Sequence, residues 1–220
     1  MLDWLQNLRG PGGGEHMLRR FQEMLSDGRH AFDSAIAIVI SGGDPSALRD
    51  EVFETDQRIN RNEQALRREL IVHASVYGSA VFPTSLLLMS LVKDAERIGD
   101  YAKNILDLAR HENVLNEEEQ QLIAPLATKA SEMLREAANL FASKNEEAAA
   151  AFLEEEHTIR HQCEAAIDEW LTDETRNHSA ACLVARFIKR IVGHAGNVVS
   201  SVVMPLDMLD FHPGGGGDED

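Results

Sequence analysis

Apolar residues recur along the chain at the three-to-four-residue spacing of helices, in six successive runs. Met17, Phe21, Leu25, Phe32, Ile36 and Val39 line one face of the first. Ser41-Gly42-Gly43 then supplies a stop, since glycine adopts the left-handed backbone that closes a helix. Asp44-Pro45 restarts the chain as an N-cap followed by proline at the first helical position, leading into Leu48, Val52, Ile59, Leu66 and Leu70. A third helix is predicted from about Phe82 to His111; Pro83 is tolerated because first-turn N–H groups have no intrahelical acceptor. Asn116 with Glu119 three residues on is a capping-box pattern for a fourth helix reaching Phe141. Asn145 before Glu146-Glu147 caps a fifth reaching Trp170, acids being favourable at a helix N-terminus. The sixth spans roughly Thr175 to Val203 and stops before Pro205.

The second three helices repeat the first three. Val52 to Ile59 lies over Phe152 to Ile159, with Asp56 over Glu156 and Leu70 over Trp170. Lys93 to Asn104 lies over Arg186 to Asn197, with Glu96 over Lys189 and Asp100 over Gly193. The expected fold is all-α, a tandem repeat of two three-helix bundles packed side by side. Its units are residues 15–113 and 114–205. A Gly-rich junction sets off a flexible N-terminal segment, 1–14, and a Gly-rich acidic tail follows at 206–220.

Composition agrees with this class. Eight Phe, two Trp and two Tyr in 220 residues are few for a β-rich core. Lys and Arg number 21 against 37 Asp and Glu, a formal charge of -16 that repels phosphate backbones and anionic lipid, so no nucleic acid partner is expected. Cys163 and Cys182 have neither disulfide-framework nor C-x-x-C spacing and read as reduced thiols. The opening residues lack the apolar core of a signal peptide and no run is long enough to span a bilayer; a cytoplasmic protein without membrane insertion is expected.

Candidate chemistry lies on helices two and three. Glu96, Asp100 and Asn104 recur every four residues and share a face; Asp56, Asn60 and Glu63 do the same on the preceding helix, with Glu54 beside them. If the stripes converge across an antiparallel pair, a hard or borderline cation can neutralise them; otherwise they are two solvated faces. No nucleophile sits in an elbow or phosphate-loop motif, so no enzyme is expected. A metal-dependent enzyme or metal-storage bundle built on the same carboxylates is the alternative.

The string Glu96-Arg97-Ile98-Gly99-Asp100 followed by Asn104 resembles the E-R-I-G-D-x-x-x-N signature of the PhoU family. Glu54-Thr55-Asp56-Gln57-Arg58-Ile59-Asn60 resembles the E-x-D-x-x-[IV]-N pattern of that family's preceding helix. The resemblance covers about residues 15–203 and implies two three-helix bundles. It implies a metal (iron, zinc, nickel or manganese) at Asp56, Asn60, Glu96, Asp100 and Asn104, with Glu54 and Glu63 nearby. It also implies regulation of phosphate uptake through a phosphate-transporter ATPase, a sensor histidine kinase or both. A homo-oligomer is expected.

The second repeat departs from the pattern. Lys189, Gly193 and Arg160 stand where the family is acidic. No metal is expected between helices five and six; Glu154 or Glu156 should instead pair with Lys189 or Arg160. His157 and His161, at i and i+4, and His194 read as surface or core-edge histidines, a remodelled metal site being the other reading. The family's basic segment before helix three is replaced by Pro83-Thr84-Ser85-Leu86-Leu87-Leu88.

Overall fold

Among the described residues six helices form where the apolar spacing places them, and side-chain caps set the starts of two of them. The structure, a computed structural model, describes residues 14–111, 114–204 and 208. The expectations for the segment before Gly14 and for the acidic tail lie outside the described residues, apart from an exposed Met208.

The helices are α1 (Gly14–Ser41), α2 (Ser46–Tyr77), α3 (Phe82–Leu108), α4 (Glu117–Ser143), α5 (Glu146–Thr172) and α6 (Ser179–Val203), with a 3-10 turn at Gly78–Ala80. There is no strand among the described residues. The capping box before α4 is complete: Glu119 N–H donates to Asn116 Oδ1 across 3.0 Å, and Asn116 N–H donates to Glu119 Oε2 across 2.7 Å. Asn145 caps α5 through Ala148 N–H at 3.1 Å.

Two ends differ from the pattern. Asp44 does not cap α2 from the position before Pro45; it accepts Ser46 N–H at 2.9 Å and Ser46 O–H at 2.7 Å in a local turn. The helix therefore starts one residue later. The start of α6 falls at Ser179 rather than near Thr175, because Asp173 holds Thr175 N–H (2.8 Å) in a turn of its own.

Each set of three helices packs into a bundle, and the bundles join through α1 against α4 and α3 against α6. Phe21 meets Phe141 at 4.8 Å between ring centroids and Arg29 reaches Ser131 at 3.3 Å, so α1 and α4 run antiparallel. Asp94 pairs with Asn197 while Tyr101 stacks on Phe187, so α3 and α6 are antiparallel too. The repeats are thus related by a pseudo-twofold axis across the bundle. Its signature is exact in register: residue 94 lies over 187 and 101 over 194 in the repeat, and the contacts are Tyr101 on Phe187 and His194 on Asp94. Tyr101 and His194 themselves stack at 5.7 Å, where the axis passes.

One apolar core runs through both bundles, from Phe32, Leu66 and Ile98 to Met133, Ile188 and Val198. The two repeats share it, so neither half buries its inner faces alone. No described helix is long and apolar enough to cross a membrane. Between α4 and α5, over Leu126, Phe152 and Ile159, an open groove of about 660 Å³ remains.

Candidate functional site

The two acidic stripes do face each other. α2 and α3 pack antiparallel, and their closeness rests on Gly99: a Cβ there would lie 2.8 Å from Ile59 Cδ1. The glycine of the E-R-I-G-D string is thus a packing residue, keeping α3 against α2 where the polar groups meet.

Asp56, Glu63 and Glu96 are buried and Asp100 is half-buried along this seam. Lys103, one turn beyond Asp100, places its ammonium between the helices. Its Nζ donates to Asp56 Oδ1 at 3.0 Å and to Asp100 Oδ1 at 3.4 Å. Burial works to lower the Lys103 pKa, but the bond to Asp56 and the charges of Asp56 and Asp100 outweigh it and hold the group above the ordinary lysine value. Lys93 Nζ donates to Glu96 Oε2 at 2.6 Å, Arg97 lies 3.5 Å from Asp100, and Arg67 lies 3.0 Å from Glu63. Burial pushes the Glu96 carboxyl up; the Lys93 hydrogen bond opposes this, and Asp100 and Glu63 add to it.

Of the outer candidates, Asn60 joins the seam by donating to Asp56 Oδ2 at 3.3 Å. Glu54 is exposed, and Arg58, one turn on, forms a bidentate pair with Asp27 on α1 at 2.7 Å. Asn104 is half-buried, and no hydrogen bond joins it to the seam among the described residues. Asn197, its counterpart in the repeat, bonds Asp94 at the bundle interface.

A metal held by these carboxylates needs several oxygens converging on one point. Here each carboxylate already has a cationic neighbour, and Lys103 stands between the two helices. Among the described residues no three His, Cys, Asp or Glu side chains converge as a metal-binding set. As placed, the seam does not fit a divalent cation unless Lys103 moves aside.

In the second repeat Glu156 is the counterpart of Asp56, and Gly196 that of Lys103. A Cβ on Gly196 would lie 3.0 Å from Glu156 Cγ, so the carboxylate packs straight onto the α6 backbone. Arg160 reaches Glu156 Oε1 at 3.5 Å, the expected pairing. Glu156 Oε2 is buried without a hydrogen bond, and burial lifts this carboxyl to about 7 against the pull of Arg160. Lys189 pairs with Glu164 rather than with Glu154 or Glu156. The reason is geometric: Glu154 is on an exposed face, and Glu164 lies farther along α5 on the side facing α6.

With this geometry in view, the comparisons are specific. The model of the PhoU domain matches residues 16–109. That match covers helices α1 to α3, the first of the two bundles. An uncharacterized protein of Methanocaldococcus jannaschii is 24% identical over 166 residues, or 76% of this chain; the match spans 56% of that protein's length. The fold of the whole body matches two crystal structures of PhoU. The one from Pseudomonas aeruginosa superposes with a TM-score of 0.76 at 20% identity, over 86% of this chain and 94% of that one. The one from Streptococcus pneumoniae gives 0.74 at 17% identity, over 90% and 94%. The seam lies wholly inside the matched residues, and the second repeat lies within the span that shares the fold but carries Lys189 and Gly193 in place of Glu96 and Asp100.

Three residues carry more than their sequence context signals. Lys103 follows an acid by three positions, a common surface pairing, yet it closes the seam. Asp94, buried, accepts from both His194 Nδ1 and Asn197 Nδ2 at 2.8 Å and ties the bundles together. His178 donates from Nδ1 to Glu119 Oε1 at 2.6 Å and from Nε2 to Asp173 Oδ2 at 2.9 Å. The bond to Asp173, then that to Glu119, raises its pKa and favours the imidazolium.

Proposed function

We propose that the protein regulates phosphate uptake and phosphate signalling in the cytoplasm by contact with a phosphate-transporter ATPase, a sensor histidine kinase or both. The observation that carries this is the PhoU domain over residues 16–109, joined to a body whose fold is that of PhoU along nearly its whole length. Regulation by contact, without catalysis, accords with a polar seam in which every carboxylate is paired.

The contact surface lies at the tip of the first repeat. Ile71, Val72, Val76 and Tyr77 at the end of α2, with Phe82 and Leu86 at the start of α3, stand exposed together. Neighbouring apolar side chains left in water mark an interaction site. In this reading they meet the transporter or kinase, in place of the basic segment lacking here. A second copy of the chain is the other occupant, and sedimentation separates the two.

The metal enters this reading as a competitor of Lys103. Iron, zinc, nickel or manganese would be held by Asp56, Glu96 and Asp100, with Asn60 and Glu63 beside them, in chains where the ammonium is displaced. Glu54 and Asn104 are not needed.

Affinity capture from cells shifted between high and low phosphate tests the function. Recovery of a transporter ATPase or sensor kinase by the parent, and its loss in Val76→Asp with unchanged circular dichroism, supports the reading. Recovery of neither under both conditions contradicts it.

A further inference from the structure

α5 carries two histidines one turn apart on its solvent face, His157 and His161. Their Nε2 atoms are 3.1 Å apart, with the rings edge to face at 70° and centroids 4.3 Å apart. Residues four apart on a helix are neighbours in any case. What is particular here is that the two Nε2 atoms turn toward one another rather than into water. A cation bonded to both at a metal–nitrogen length of about 2.0–2.1 Å closes an angle of roughly 100° over that separation, between the tetrahedral and square-planar values.

A carboxylate also stands behind the pair. His161 Nδ1 lies 3.2 Å from Glu164 Oε2, and Glu164 is held in turn by Lys189 of α6. A carboxylate accepting the Nδ1 proton leaves the lone pair on Nε2, fixes the ring and strengthens it as a ligand. Lys189 and Arg160, cations of α6 and α5, are already paired, with Glu164 and Glu156. Gln57 and Arg61 occupy the corresponding positions of α2, so the feature belongs to the second repeat alone.

We propose that His157 and His161 form a two-imidazole chelate for a borderline divalent cation, with water completing its coordination. Copper(II) is preferred, then nickel(II) and zinc(II), following the general order of affinity for nitrogen ligands. Without a metal, His157 donates Nε2–H to His161 Nε2; on binding, His157 carries its proton on Nδ1 and both Nε2 atoms face the cation. The site is separate from the acidic seam of the PhoU domain.

The test is calorimetric titration of the full, untagged chain with copper(II), nickel(II) and zinc(II). The variants are H157A, H161A and E164Q, with H111A, an exposed histidine of the first repeat, as the control. Both histidines are exposed, so their replacement leaves the helices in place, as circular dichroism checks. Expected are one binding event per chain that depends on the two histidines, strongest for copper, weakened about tenfold or more in H157A and in H161A, weakened less in E164Q, and unchanged in H111A. A copper visible absorption band with the same stoichiometry accompanies it. No binding, an event unaffected by both histidine variants, or an event lost in H111A overturns the proposal.

Discussion

His194 Nδ1 donates to Asp94 Oδ1 across 2.8 Å, and the two residues belong to different repeats. Their pseudo-twofold counterparts are Tyr101 and Phe187, which meet as stacked rings 5.8 Å apart. One contact of the symmetric pair is polar and the other aromatic, although both occupy the same place in the fold. The bundles are therefore joined through a buried hydrogen-bonded carboxylate on one side of the axis and through apolar area on the other.

Asp94→Ala strands the donors of His194 and Asn197 at this interface. Leaving such groups unpaired costs about 1–3 kcal/mol. Urea denaturation should show that loss with unchanged helix content, and an unaltered midpoint would contradict the role given to Asp94.

Glu156 predicts a pH dependence of stability. Its folded-state carboxyl is raised to about 7 by burial, above its unfolded value near 4.3–4.5. The folded state thus holds this proton more tightly, so the contribution is fully present below about pH 4.5 and is lost as pH rises through 7. The size is about 3 kcal/mol as an order of magnitude. Glu156→Gln should flatten the melting temperature between pH 5 and 8 relative to the parent; parallel curves would refute this assignment.

Lys103→Met removes the ammonium from between Asp56 and Asp100. The variant should lose about 1–2 kcal/mol of stability, since the pair is only partly buried. It should also bind manganese or zinc more tightly than the parent, in a manner abolished by Asp100→Ala. Equal affinity in parent and variant would exclude Lys103 as the competitor.

Cys163 is buried on α5, and burial pushes its thiol up to about 12. Thiol titration of the folded protein at pH 8 should give the same signal for the parent and for Cys163→Ser, and one extra thiol for the parent in guanidinium. Rapid labelling of Cys163 in the folded chain would contradict the packing around it.

The helices were legible because each carries its own signal: apolar spacing for the bodies, Asn116 with Glu119 and Asn145 for the starts. The repeat was legible from Asp56 over Glu156 and Asn104 over Asn197, but its antiparallel arrangement was not, because a repeat in sequence fixes no axis. That axis emerges only from contacts such as Tyr101 with Phe187. The convergence of Asp56, Glu63, Glu96 and Asp100 followed from spacing on two paired helices. Lys103 was missed because a lysine three residues after an aspartate reads as a surface pair; whether it points outward or into the seam depends on the distance between α2 and α3. Glu164 as the partner of Lys189 was missed for the same reason, since pairing across two helices depends on their relative shift.

Regulation of phosphate uptake is tested by measuring phosphate uptake in cells lacking this protein, grown at high phosphate. Uptake should stay high where the parent strain shuts it down, with restoration by the intact chain and not by Val76→Asp. Uptake indistinguishable from the parent strain at both high and low phosphate would contradict it.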